Sequence, residues 1–267
     1  MAFKTFRPAG AAAATVLLVL GVVVSTDTTT GDTSDATAAA ADAYTTSLAA
    51  KTVITTPAAS PSVGALFGGD EHFCSGSVVH SAAGDVVLTA AHCVNDGDGT
   101  GNYEGLTFAP GYHDGIAPYG MWAVTVAAVP DGWASGGDPD LDFAFLTVRQ
   151  DGTSASVESL TGANTLGTDR GFPNLITLTG YPDEADAPTV CQGVTSRSGT
   201  YQQRVACPGF PDGTSGGPWV TDVDAATGDG TVIGVIGGYQ YGGDSPDVSY
   251  SSYFDSDVRD LYESVTG

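Results

Sequence analysis

From Ser62 onward the chain is a succession of short apolar segments separated by Gly, Asp and Pro. Val63–Phe67, Cys74–Val79, Asp85–Thr89, Trp122–Val129, Phe143–Val148, Leu175–Thr179, Arg204–Cys207, Trp219–Val220 and Val232–Gly237 are rich in Val, Ile, Phe and Leu, with turn residues at their bounds. Short runs of this kind read as strands of an all-β barrel or sandwich. One segment differs. Ser256 can cap a terminal helix in which Val258, Leu261, Tyr262 and Val265 fall at helical spacing. The Gly/Thr/Ala-rich stretch 152–167 marks the junction between a first half, 62–150, and a second half, 151–267. No internal repeat is visible.

The N-terminus has another character. Lys4 and Arg7 precede an apolar run, Ala11–Val24, which gives way to a polar, small-residue stretch. This is the layout of a secretory signal peptide, placed at 1–43. A membrane anchor is the rival, but the run falls short of the roughly 20 residues a spanning helix needs. Residues 44–61 read as a linker or short pro-segment. The formal charge is −23, with only eight Lys plus Arg. Such a surface excludes nucleic acid and anionic membrane as natural partners and favours solubility outside the cell. Cys74, Cys93, Cys191 and Cys207 make an even set, which in a secreted chain reads as disulfides. Their spacing favours Cys74–Cys93 and Cys191–Cys207. They are too dispersed for a zinc site, and no metal or cofactor is expected. Asp96-Gly97-Asp98-Gly99-Thr100-Gly101 resembles a calcium loop, but Thr107 stands where the bidentate Glu belongs. It is read as a surface loop.

Three runs carry chemistry. In Thr89-Ala90-Ala91-His92-Cys93 a strand ends in small residues that let the chain turn and set an imidazole at an edge. Histidine titrates near operating pH, as a general base must. His72, His80 and His113 lack such a context. Asp142 opens Phe143-Ala144-Phe145-Leu146, where a partly buried carboxylate needs a partner such as an imidazole N–H. Asp138 and Asp140 read as turn acids. In Gly213-Thr214-Ser215-Gly216-Gly217-Pro218 the serine stands among glycines, whose backbones reach conformations closed to other residues. Its hydroxyl becomes a nucleophile once a base takes its proton. The run also fits the nucleophile elbow of α/β-hydrolases, but that fold runs Ser, acid, His. Here the order is His, Asp, Ser, and no His follows Ser215.

With these separations, the runs resemble the trypsin/chymotrypsin-like serine proteases. Thr177-Leu178-Thr179-Gly180-Tyr181-Pro182 and the serine loop are similar to secreted bacterial members near the glutamyl endopeptidase-like branch. The resemblance implies an all-β chymotrypsin-like fold, two six-stranded antiparallel barrels with a C-terminal α-helix. It implies a triad of His92, Asp142 and Ser215 in the cleft between barrels, an oxyanion hole from the N–H groups of Gly213 and Ser215, and a monomeric secreted endopeptidase acting on protein or peptide. The alternative is a protease-fold binding protein that has lost catalysis. The implied pocket comprises Gly209, Phe210, Asp212, Gly237, Gly238 and Tyr239. Gly209 offers no charge for Lys or Arg, and no cation stands where a glutamate-selective pocket needs one, so an apolar or small side chain is expected before the cut. Animal trypsin-type enzymes carry Asp just before the nucleophile, paired with a newly released N-terminus. Thr214 stands there instead and cannot make that salt bridge, so activity is expected not to depend on it.

Overall fold

The computed structural model describes residues 60–267. The expected signal peptide and all but the end of the 44–61 segment lie outside them. Six antiparallel strands form the first half: β1 (Val63–Gly68), β2 (Glu71–Val79), β3 (Val86–Thr89), β4 (Leu106–Pro110), β5 (Trp122–Ala128) and β6 (Ala144–Arg149). They close a barrel in the order β1-β2-β3-β6-β5-β4, with β4 paired back onto β1. Leu66, Leu88, Phe108, Trp122, Phe145 and Val148 belong to its core. Fully burying each such side chain contributes about 1.5–3 kcal/mol.

Every residue of β3 is buried, and so are Ala144–Leu146 of β6. On β6 the C-terminal helix Ser256–Thr266 packs and sets Tyr262 edge-on to Phe145 at 5.5 Å, while Thr89 of β3 lies under Gly216. Val258, Leu261, Tyr262 and Val265 all join this core. The helix cap is Asp255, whose side chain accepts from the Asp257 N–H, rather than Ser256. Short helices Asp131–Gly136 and Val157–Thr161, too brief to show a period, add to the expected terminal one.

The second half departs from a closed six-stranded barrel. Its strands are β7 (Thr165–Leu166), β8 (Leu175–Gly180), β9 (Thr189–Val194), β10 (Ser196–Arg197), β11 (Gln202–Ala206), β12 (Pro218–Thr221), β13 (Thr231–Val235) and β14 (Val248–Ser252). They form a five-stranded sheet, β7-β13-β12-β8-β9, and a three-stranded sheet, β10-β11-β14. Side chains hold one seam where a backbone ladder would close a barrel. Gln203 Nε2 donates to the Ile233 carbonyl (2.7 Å), and Ser251 Oγ accepts from Val235 N (3.1 Å). At the other seam the Cys191–Cys207 disulfide ties β9 to the end of β11. Between the sheets lie Ile176, Leu178, Val205, Phe210, Trp219 and Ile233. Among the described residues, no helix is long and apolar enough to cross a membrane.

Candidate active site

The chain leaves β3 through Ala90 and Ala91, both fully buried, and turns once through the 3-10 segment Ala91–Cys93. The Cys74–Cys93 disulfide fastens this turn to β2. His92 therefore stands at the barrel edge, its side chain 15% exposed, directly against Asp142. Asp142 is completely buried. Its Oδ2 lies 2.8 Å from His92 Nδ1 and accepts from Gly238 N (2.7 Å), while its Oδ1 accepts from His92 N (2.9 Å). Three N–H groups thus offset the cost of taking the carboxylate out of water. The Asp142 amide is held in turn, donating to Ser252 Oγ (3.2 Å).

The competing acids lie elsewhere. Asp140 accepts from Gln202 Nε2, and Asp138 caps the Asp140 amide. His80 pairs with Glu158 and His113 with Asp114, both at the surface. His72 is packed among Phe67, Tyr112 and Tyr181.

The serine loop is bolted to the first barrel by a residue that motif reading passed over. Ser75, buried in β2, donates its amide to the Ser215 carbonyl (2.6 Å). Its hydroxyl donates to the Gly213 carbonyl (3.1 Å) and accepts from Tyr181 N (2.8 Å). Thr89 Oγ1 donates to the Ser75 carbonyl (2.7 Å). Replacing Ser75 with Ala should strand two of these buried groups and cost about 1–3 kcal/mol of stability, read from the urea midpoint at unchanged m-value. Gly213 adopts φ +90, and a Cβ there would meet Asp183 Oδ1 at 2.2 Å. Among the described residues, neither the Gly213 N–H nor the Ser215 N–H donates to a protein acceptor. Thr214 is buried, and its hydroxyl donates to the Pro211 carbonyl (2.6 Å).

A cleft of about 730 Å³ has His92, Gly213 and Ser215 on its lining. Of the expected pocket residues, Phe210 and Asp212 also line it. Gly209, Gly237, Gly238 and Tyr239 are not on its wall. Gly237 lies against Asp142 and Ala90, Tyr239 packs on Tyr250, and Gly209 lies by Thr189. After Gly238 comes a tight turn, Tyr239–Gly242, in which Gln240 and Tyr241 both take positive φ. It brings Tyr241 to the cleft, edge-on to His92 at 5.5 Å and to Trp133 at 6.3 Å. Two successive non-glycine residues in this region cost of order 1–3 kcal/mol each.

The cleft is acidic. Asp183, Asp212 and Asp244 line it, and no Lys or Arg does. Burial raises the Asp183 pKa, with the charges of Asp212, Glu184 and Glu71 adding to the effect and His72 opposing it. In the Asp96–Gly101 loop the acids are already engaged. Tyr103 OH donates to Asp96 Oδ1, and Thr100 donates to Asp98 Oδ1 through both its amide and its hydroxyl. Burial, with help from Asp96, pushes Tyr103 up to about 12. Cys74, His92 and Cys93 lie close enough to share an ion, but both sulfurs are spent in the disulfide.

A family model described as a trypsin-like peptidase domain matches residues 74–235. Among solved structures, the protease Anisep from Arthrobacter nicotinovorans is 25% identical, with a TM-score of 0.70 over 80% of this chain and 99% of that one. The thermostable serine protease AL20 from an extremophilic microorganism is 29% identical, with a TM-score of 0.69 over 79% and 99%. A Glu endopeptidase in complex with MPD, at 17% identity and a TM-score of 0.62 over 81% and 95%, shares the fold. No curated protein matches the chain.

Proposed function

Because the chain belongs to the trypsin-like peptidase family, we propose that it is a secreted serine endopeptidase working through Ser215, His92 and Asp142. The observation that carries this reading is the pairing of His92 with the buried Asp142, His92 lining the same cleft as Gly213 and Ser215 with their two unengaged N–H groups. Ser215 Oγ attacks the peptide carbonyl while His92 takes its proton. Asp142 holds the ring tautomer with Nδ1–H toward the carboxylate, which leaves Nε2 as the base, and it stabilises the imidazolium once formed. The Gly213 and Ser215 N–H groups receive the developing oxyanion, which needs donors that no protein acceptor has claimed. His92 returns the proton to the leaving amine, and water then repeats the sequence on the acyl-enzyme.

Ile236 and Phe210 give the cleft an apolar side, which supports an apolar or small residue before the cut. No cation on the lining supports carrying glutamate selectivity over from the Glu endopeptidase. The two disulfides, with the signal-like N-terminus, support an extracellular destination.

A fluorophosphonate probe tests the reading directly. The folded protein should label with one equivalent, and peptide mapping should place the adduct on Ser215. A folded protein that never labels would instead be a binding module on a protease scaffold.

A further inference from the structure

Asp183 lies in the loop after β8, beside the serine loop, with its amide donating to the Asp212 carbonyl (3.0 Å). Its Oδ1 occupies the space that a side chain at Gly213 would need. The carboxylate therefore rests against the glycine that, with Ser215, would hold the oxyanion. Among the described residues it forms no ion pair; of the charged groups that bear on it, Asp212, Glu184 and Glu71 add negative charge and His72 alone opposes them.

This placement has a consequence for acyl transfer. Negative charge grows on the carbonyl oxygen in the transition state. A bare carboxylate close by opposes that growth, and low dielectric in a filled cleft strengthens the opposition. A substrate cation set against the carboxylate removes the penalty and turns it into a binding group. We propose that Asp183 makes the cleft selective for a Lys or Arg side chain in the substrate, on the leaving-group side of the scissile bond. The inference rests on the peptidase reading of Ser215 and His92.

The side follows from which elements stand beside each lining residue. Phe210 and Ile236 share one apolar cluster and the Phe210 amide donates to the Pro246 carbonyl (3.0 Å), so they form one wall with the 243–246 segment, where the residue before the cut would lie. Asp183 stands two residues after Tyr181, whose amide donates to Ser75 Oγ of β2 (2.8 Å), and the charges of Glu71 and His72, just before Phe73 and Cys74 in that strand, reach it, which sets it toward the β2 side of the cleft. A peptide chain that enters past that wall leaves past the β2 side. No Lys or Arg on the lining competes for Asp183, whereas Asp244 accepts from Gln240 Nε2.

Cleavage profiling on a peptide library, with active sites counted by fluorophosphonate titration, is the test. In the first two positions after the cut, Lys and Arg should exceed neutral residues by about three- to tenfold in kcat/KM at low salt, less at high salt. Asp183→Asn should remove the preference, and Asp183→Lys should turn it toward Asp and Glu. A wild type that labels and cuts without a basic preference there, or a preference that survives Asp183→Asn, overturns this inference alone. A wild type that never labels overturns the peptidase reading and this inference with it.

Discussion

Asp142→Asn should lower kcat by about 10⁴-fold while leaving KM within a small factor, because orientation of the base is lost and binding surface is not. The local geometry makes the change harsher than a simple loss of charge. Both carboxylate oxygens accept N–H groups: Oδ1 from the His92 amide, and Oδ2 from Gly238, with the His92 ring beside it. An asparagine has one acceptor oxygen and one NH₂. If its oxygen faces the His92 amide, the NH₂ meets the Gly238 N–H and forces the imidazole into the tautomer with Nε2 protonated, which cannot accept from Ser215. If its oxygen faces Gly238, the NH₂ meets the His92 amide. Either orientation also leaves a buried N–H unpaired, at a cost of about 1–3 kcal/mol. Steady-state kinetics with denaturant titration should therefore show both losses in one variant. A kcat within tenfold of wild type would remove Asp142 from the mechanism.

Gly216→Ala should produce a large loss of stability. Gly216 holds φ +78, and a Cβ there would come within 2.2 Å of Thr89 Oγ1 and 2.3 Å of the Ser75 carbonyl oxygen. Neither neighbour can retreat freely, since Thr89 Oγ1 already donates to that carbonyl and Ser75 holds the Ser215 carbonyl through its amide. Overpacking and left-handed strain together should cost roughly 2–5 kcal/mol. At about 2–4 °C per kcal/mol for a domain of this size, calorimetry should register a Tm lower by roughly 5–15 °C. Fluorophosphonate labelling should fall as well, because the loop can accept the methyl group only by moving Ser215. A variant with wild-type Tm and labelling would mean the contact to the first barrel is looser than these distances imply.

Legibility in the sequence varied with the reach of the signal. The strands of the first barrel rich in β-branched and aromatic residues, such as Val86–Thr89 and Ala144–Arg149, announce themselves locally. β14 does not. Val248–Ser252 is mostly serine and tyrosine and reads as loop, yet Ser249, Ser251 and Ser252 are buried and two of their hydroxyls hold Val235 and Asp142. Leu106–Pro110 ends in proline, and Thr189–Val194 mixes polar and small residues, so both strands escape a search for apolar runs. A serine inside an otherwise buried strand, as at Ser75, is the signal that would have exposed the loop anchor. Nothing local announces that Tyr241 turns back onto His92, because that contact depends on two residues in strained backbone conformations.

The sequence alone determined the chemistry on offer: a histidine at a strand end, an aspartate at the mouth of another strand, a serine among glycines, and cysteines spaced for two local loops. These are properties of short stretches, and local propensity and residue chemistry suffice to write them. The tertiary structure alone decided what each group meets. Ser75 reaches Gly213 across 138 residues, and Gly238 reaches Asp142 across 96. Such pairings depend on how the barrel edge, the serine loop and β14 pack together, so no window of sequence contains them. The same holds for the cleft wall, where one tight turn presents Tyr241, and where packing of the β8 loop against Gly213 sets Asp183 among Asp212, Glu184 and Glu71, with His72 alone opposing them.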